Sequence, residues 1–592
     1  MLCKDRAATD FFFYHTMDKQ ALIEKIQGLD GLTNDEKSDL LGLLRAHKKY
    51  GLVWEDKPED VENRLRDELP VLTEVKEKAL ISNEITPPPN HIIIEGDNLE
   101  ALTALTYTHE GKIDVIYIDP PYNTGNKDFV YNDKFVDSED DYRHSKWLSF
   151  MERRLRIARR LLSDKGVIFI SIDDNEQAQL KLLCDEVFGA NSFLANPVRR
   201  RRKSQANLSK NISTIHEYVL IYKINQESLL NKVAANINLP DYKNPDNDPR
   251  GPYVTMPCTN KGGSRYCVQT PVGNIIEEEW RFKEDTYYRL LNDNKIVFPR
   301  GGKGKPRYKL FLSEKQGEGV IPNSWWDELE SNQEGATLLK SIMGDVVFDN
   351  PKPVGLVTFI EKLASNHKST ILDFFGGSGT TLHATMQLNA EDGGHRQCIL
   401  VTNNENGICE NVTYERNKRV IQGYTTPKGD KVPGLTANTL RYYKTTFISR
   451  DRTQRNMHAL VEAATDMLCI KEDLYEEQTH FGQYKTHPKV LRYFAQGNKR
   501  MLVLYRDEYT EEVAAEIGRI HLPQGEKIKV YIFSPSRYAY DDMFEDVAEK
   551  VELVALPAAI YDAYKKVLPK RREKPLELQT DHNEANEEGG EQ

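Results

Sequence analysis

Residues 92 to 125 read IIIEGDNLEALTALTYTHEGKIDVIYIDPPYNTG. An apolar run, Ile92 to Ile94, ends near Gly96, a helical pattern follows, and a second apolar run, Ile113 to Ile118, ends at Pro120 and Pro121. That order predicts strand, helix, strand. WLSFMERRLRIARRLLSDKGVIFISIDDNEQAQLKLLCDEVFG, residues 147 to 189, continues with a long helix, the buried strand GVIFISI and another helix. KPVGLVTFIEKLA (352 to 364), STILDFFGGSGTTLHATMQLN (369 to 389) and QCILVTNNE (397 to 405) repeat the alternation. The expected fold is α/β, a doubly wound and mostly parallel sheet whose ligands sit beyond the carboxyl ends of its strands. Asp119 and Asp173 both fall at such ends.

The rest of the chain divides around this pattern. Residues 1 to 74 carry polar helical segments such as KQALIEKIQ, read as a helical extension; Met17 opens the pattern, so the residues before it look like an over-extended start. The first part of the α/β pattern runs from 75 to 199. Between 200 and 345, Gly, Pro, Asn and aromatic residues crowd together and predict short strands and long loops in an inserted domain. The pattern resumes over 346 to 436, and 437 to 570 form a separate small α/β domain around MLVLY, KVYIFS and VELVAL. The tail, 571 to 592, has the acidic, apolar-poor composition of a disordered segment.

A chain of 592 residues with 39% apolar content can bury several cores. Its seven cysteines are scattered without metal-ligand spacing, as in a reducing compartment, and no metal site is expected. No stretch approaches the ~18 consecutive apolar residues of a membrane span, and Met1 to Thr16 is too interrupted for a signal, so a cytoplasmic protein without membrane contact is expected. The net charge of −11, from 80 Lys and Arg against 91 Asp and Glu, does not advertise nucleic-acid binding. Its distribution is more informative: RRRRK, residues 199 to 203, is either a solvated face or a phosphate contact.

Two motifs carry chemistry. In ILDFFGGSGTTLHA, Asp373 ends a strand and Gly376, Gly377 and Gly379 form a tight turn before a helix, where a ligand can approach backbone amides. A phosphate-binding P-loop would need a Lys that is missing, and a dinucleotide fingerprint would need Gly where Leu382 stands. In DPPY, Asp119 and the carbonyl of Pro120 are two acceptors for the hydrogens of an exocyclic amine, and Tyr122 can stack on the ring that bears it. Taken alone, the turn equally reads as a strand end whose Asp119 caps a helix.

DPPYNTG together with DFFGGSGTT resembles the amino-group DNA methyltransferases that use S-adenosylmethionine, with the motif order of the permuted β class. The resemblance implies a permuted S-adenosylmethionine-dependent methyltransferase fold, with Asp119, Pro120, Pro121 and Tyr122 around the target amine. It further implies a cofactor site from Asp97 of EGDNLEAL, Lys352 and Pro353 of NPKPVGL, and Asp373, Phe375, Gly377, Gly379 and Thr380 of the glycine loop. The family usually bonds the ribose through an acid after the next strand; CILVTNNE offers Asn404 or Glu405 in a shifted register. His216, Asp173 and Trp147 match motifs too, but core packing explains them equally well. Asp at the head of the turn favours adenine N6 over cytosine N4.

On the same basis residues 200 to 345 would be a target-recognition domain whose RRRRK, NKGGSR and RGGKGKPRYK segments meet phosphates. Length and the terminal additions resemble the modification subunits of type III restriction–modification systems. That implies double-stranded DNA as substrate, a homodimer and a helicase-nuclease restriction subunit as partner, with the C-terminal domain serving dimerisation or partner docking. A solitary adenine or cytosine-N4 methyltransferase shares every motif. A DNA-binding module without catalysis would have no use for Asp119 and Tyr122, and protein glutamine methyltransferases usually begin the turn with Asn and lack a large basic insertion.

Overall fold

A computed structural model describes residues 52–571 except 83, 85–86, 127, 133, 205–210, 226–227 and 234–238. The expected helices before residue 52 and the expected disordered tail lie outside the described residues. The chain falls into residues 1–55 and 56–592, and the fold below is that of the second unit.

An eleven-stranded sheet forms its centre: β1 (Glu68–Glu74), β2 (Asn90–Glu95), β3 (Ile113–Ile118), β4 (Leu162–Ile172), β5 (Phe193–Ala195), β6 (Val198–Arg200), β7 (His216–Lys223), β8 (Trp325–Trp326), β9 (Thr370–Asp373), β10 (Gln397–Thr402) and β11 (Thr439–Ser449). Their spatial order is β1-β11-β2-β10-β9-β3-β4-β7-β6-β8, with β5 on β7. The six strands from β11 to β4 are parallel; β1 and β7 run antiparallel to their neighbours. Ile92, Ile93 and Ile94 are wholly buried, as are Ile116 and Ile118, which is the both-faces burial that a parallel sheet demands.

Helices flank both faces. On one, α4 (Val354–Ala364) and α5 (Thr380–Asp392) pack against Val115, Tyr117, Phe169 and Ile371; on the other lie α2 (Asn98–His109), α3 (Arg143–Leu161) and α6 (Gln454–Glu472). A short helix, α1 (Asp60–Asp67), leads into β1. The chain leaves β3 toward β4 and leaves β9 in the opposite direction toward β10, so the order reverses between two adjacent parallel strands. Crevices at carboxyl ends open at such a reversal.

Several expected boundaries move. Residues 68–74 are a strand of the central sheet and not part of a helical extension: Leu69, Val71 and Leu72 are buried, and Pro70 is tolerated because β1 is an edge strand. The boundary at 436/437 likewise places β11 with the C-terminal domain, whereas it lies between β1 and β2 with Tyr442 and Tyr443 fully buried. The stretch 200–345 contributes β7 and β8 to the central sheet. The remainder of that stretch builds a hairpin (Thr259–Gln269 and Ile275–Trp280) and a three-stranded sheet over a core of Cys258, Val268, Trp280, Tyr287 and Ile296. Beyond α6, a five-stranded sheet packs Leu502, Leu504, Val530 and Ile532 into a core of its own. The buried Tyr564, on the last described helix, donates its hydroxyl to the Pro70 carbonyl at 2.6 Å and ties this unit to β1.

Because β1 is integral to the sheet, Leu72→Ala will cost about 2–5 kcal/mol, and Glu68→Ala, at a partly exposed position, less than about 0.5 kcal/mol. Urea unfolding of the two variants checks this; equal, small effects would contradict it.

Candidate active site

The carboxyl ends of β2, β3, β9 and β10 surround a cleft of about 830 Å3. Asp119, Pro120, Pro121 and Tyr122 line one part of it, and Asp97, Asn98, Phe374, Phe375, Gly377, Asn403 and Glu405 another.

The turn after β3 is held from both sides. Its two prolines fix φ and remove two amide donors, so the β3 ladder cannot continue. Trp147, wholly buried on α3, donates its indole N–H to the Pro121 carbonyl at 2.7 Å. Asn123, at φ 56°, donates its amide to buried Glu176 at 2.5 Å. Trp147 thus supports the turn from beneath.

Around Asp119 the charges are nearly all enclosed. The Lys352 ammonium donates to Asp119 Oδ1 at 2.7 Å, to Oδ2 at 2.9 Å and to the Tyr122 hydroxyl at 2.9 Å. Tyr122 in turn donates to Glu217 Oε2 at 3.3 Å, and Arg199 is ion-paired to the other oxygen of Glu217. Glu217 and Arg199 are fully buried, whereas the Asp119 side chain keeps 27% of its exposure toward the cleft. Burial lifts the Asp119 carboxyl above the usual carboxylate range; Lys352 opposes that lift and Glu217 adds to it. Burial would lift Glu217 as well, but Lys352 and Arg199 outweigh it and hold that carboxyl below the usual range. The two acids are therefore driven apart by their surroundings.

The glycine loop is shaped from behind. Asp373 accepts from the Phe375 amide at 2.9 Å and from the Thr381 hydroxyl at 2.6 Å. Gly377 and Gly379 take φ of 47° and 76°, and a Cβ at Gly379 would lie 2.4 Å from the Asn417 amide. Buried Arg416 donates to the Thr380 hydroxyl at 2.8 Å and to Ser378 Oγ at 3.1 Å. Asp97 caps α2 by accepting from the Leu99 amide at 2.7 Å. Buried Arg154 donates to Asn98 at 2.5 Å and pairs with Glu59 at 2.8 Å, which fixes that rim.

Asp97, Phe375 and Gly377 thus face the cleft. Asp373, Gly379, Thr380 and Pro353 do not: they bond or pack within the scaffold of the loop and of α4. Asn404 also turns away, its side chain accepting from the Glu410 amide, while Asn403 and Glu405 on either side line the cleft. The Lys352 ammonium reaches Asp119, while the Lys352 carbonyl accepts from the Thr380 hydroxyl of the glycine loop at 3.1 Å. In RRRRK, Arg199 is buried against Glu217, Lys203 pairs with Glu334, and Arg201 and Arg202 line the cleft. In the other basic segments Arg265 pairs with Glu277, Lys305 with Glu278, and Lys309 with Asp246 and Asp248. The bare charge runs overstated the free cations.

Glu217, Phe348, Asn98 and Arg154 also line the cleft and escaped the sequence reading. The signal for Glu217 was visible: an acid inside the apolar strand IHEYVLIY, next to His216, which instead bonds Tyr218 at 3.0 Å. Asp173 lines the cleft near Arg201, at 3.7 Å. Among the described residues no group of three His, Cys, Asp or Glu side chains could hold a metal ion, and no helix is long and apolar enough to cross a membrane.

The family model for DNA methylases matches residues 113–423, more than half of the chain, and takes in both motifs; the chain belongs to that family. It is 37% identical over 407 residues to the Mod subunit of the type III restriction-modification enzyme StyLTI of Salmonella typhimurium (strain LT2), covering 64% of this chain and 60% of that one. It is 32% identical over 442 residues to the EcoPI Mod subunit of Escherichia phage P1, covering 62% and 66%. The type II methyltransferase M.KpnI of Klebsiella pneumoniae is 31% identical over 376 residues, covering 56% of this chain and 84% of its own. The chain spans less than two thirds of the length of these two type III relatives.

Burial raises the Asp373 carboxyl to about 7, against the pull of the Thr381 and Phe375 hydrogen bonds. The native state then holds a proton that the unfolded state has released, so this group withdraws stability as pH rises from about 4 to about 7. Asp373→Asn removes the titration, and its stability relative to wild type will improve by a few kcal/mol between pH 5 and pH 8. Melting curves at the two pH values check this; parallel shifts would contradict it.

Proposed function

We propose that the chain is a site-specific DNA methyltransferase that transfers a methyl group from S-adenosylmethionine to N6 of adenine, as the modification subunit of a type III restriction–modification system. One observation carries the reading: Asp119, Pro120 and Tyr122 stand in the same cleft as the glycine loop. The lining fits the cofactor. Asp97 and Glu405 can accept from amine and hydroxyl groups, Phe375 offers an aromatic face, and Gly377 at positive φ lets a ligand approach the backbone. When bound, S-adenosylmethionine supplies an electrophilic methyl group on a sulfonium.

The residues of the chain do the rest. Asp119 and the Pro120 carbonyl accept the two hydrogens of the target amine, which turns its lone pair toward the methyl carbon and stabilises positive charge developing on nitrogen. Tyr122 stacks on the base, offsetting part of the few kcal/mol needed to turn it out of the duplex. The amine nitrogen held by Asp119 and the Pro120 carbonyl would take the methyl group while the S–C electron pair stays on sulfur, and the proton lost from the methylated nitrogen would pass to Asp119 and on to the solvent of the cleft.

An acid at the head of the turn supports adenine over cytosine. The Mod-subunit relatives support a restriction partner, and to the five-stranded C-terminal unit we assign homodimer contact or the docking of that partner, with double-stranded DNA as the substrate. The match to M.KpnI, a type II methyltransferase covered over 84% of its length, favours a second reading as a solitary enzyme. The test is nucleoside mass spectrometry on DNA from a methylation-free host expressing the chain. N6-methyladenine is expected with wild type and none with Asp119→Ala. N4-methylcytosine would overturn the base, and no methylated nucleoside would overturn the transferase.

A further inference from the structure

In the structure the place of the target amine is already taken. All three N–H bonds of the Lys352 ammonium are committed, two to the oxygens of Asp119 and one to the Tyr122 hydroxyl. These are the groups that the proposed transfer needs for the amine and the base. A cation fixed there would also repel the positive charge that grows on the attacked nitrogen, slowing transfer on the order of ten- to a thousandfold at contact distance. Lys352 must therefore yield.

The structure shows where it can go. Glu217 Oε2 lies 3.8 Å from the ammonium, about 1 Å beyond a charge-assisted hydrogen bond. Among the described residues that oxygen receives only the long 3.3 Å bond from Tyr122, while its partner oxygen is held by Arg199. The backbone cannot follow, because the Lys352 carbonyl accepts from the Thr380 hydroxyl at 3.1 Å and Pro353 restricts the residue before it. Only the flexible four-carbon stem moves.

Resting on the methyltransferase reading, we infer that Lys352 is a counter-ion latch: it holds Asp119 before the base enters and swings to Glu217 as the base arrives, handing the carboxylate to the amine. Lys352 and Glu217 are then positioning residues, the one keeping Asp119 ionised before the base arrives, the other receiving the displaced ammonium. The groups facing this pair are Tyr117 and Tyr122 from β3 and its turn, Arg199 and Arg201 from β6 and the residue after it, and Asp373 from the end of β9.

Two linked experiments test the latch, with tritiated S-adenosylmethionine and plasmid DNA from a methylation-free host. Lys352→Met leaves half-buried Asp119 beside Glu217 without its cation. Its kcat/KM will be at least about tenfold lower at pH 6.5 than at pH 8.5, whereas wild type and Lys352→Arg change little over that range. Glu217→Gln will lower kcat about tenfold or more with DNA affinity by gel shift unchanged, and will cost less than about twofold in the Lys352→Met background. A Lys352→Met defect equal at every pH, or a Glu217→Gln cost equal in both backgrounds, would overturn the latch. If burial of Arg199 without its partner unfolds Glu217→Gln, as a melting curve would reveal, the pH profile of Lys352→Met decides alone. Wild type that methylates nothing would defeat the transferase reading and the latch with it; wild type that methylates beside pH-independent variants defeats the latch only.

Discussion

The pairing of β3 with β9 is the constraint on which the site depends. Val115 and Ile116 lie beside Ile371 and Leu372, parallel and in register, although the two strands come from opposite halves of the chain. Parallel alignment brings both carboxyl ends to one edge, so the DPPY turn and the glycine loop open into one cleft. The reversal of strand order between them leaves room for a ligand. Neither motif makes a site alone.

A second layer of constraint is electrostatic. Asp119, Glu217, Lys352 and Arg199 form a chain of alternating charge in which two members are fully buried. Removing one partner from such a set leaves an uncompensated charge and costs several kcal/mol, so the four positions are coupled. The glycine loop has its own buried cation, Arg416, which faces the hydroxyls of Ser378 and Thr380 and is lowered to about 9 by burial. Both arrangements fix side chains around an edge that stays open to solvent.

Much of this was legible in the sequence because local patterns carried it. Ile92–Ile94 and Ile113–Ile118 read as buried strands because they are apolar apart from Asp114, and DPPY and DFFGGSGTT stood out because proline and glycine have fixed backbone consequences. What escaped depended on contacts between distant segments. ELPVLTE looked like the end of a helical region because its partner strand begins some 370 residues later. Glu217 looked like an ordinary strand residue, and Arg199 like one cation among five, until folding paired them. Thr380 and Gly379 lie in the motif but serve the helix start and the Asn417 contact, a distinction that motif matching does not make.

The division of one cleft into a cofactor side and an amine side is the central claim, and calorimetric titration with S-adenosylmethionine tests it most directly. Asp119→Asn should bind the cofactor within about threefold of wild type, because Asp119 stands on the amine side. Gly377→Val should lose at least about tenfold, since a branched side chain at φ 47° is strained and its Cβ would press on Phe348 at 3.3 Å. Loss of binding in Asp119→Asn, or full binding in Gly377→Val, would contradict the division.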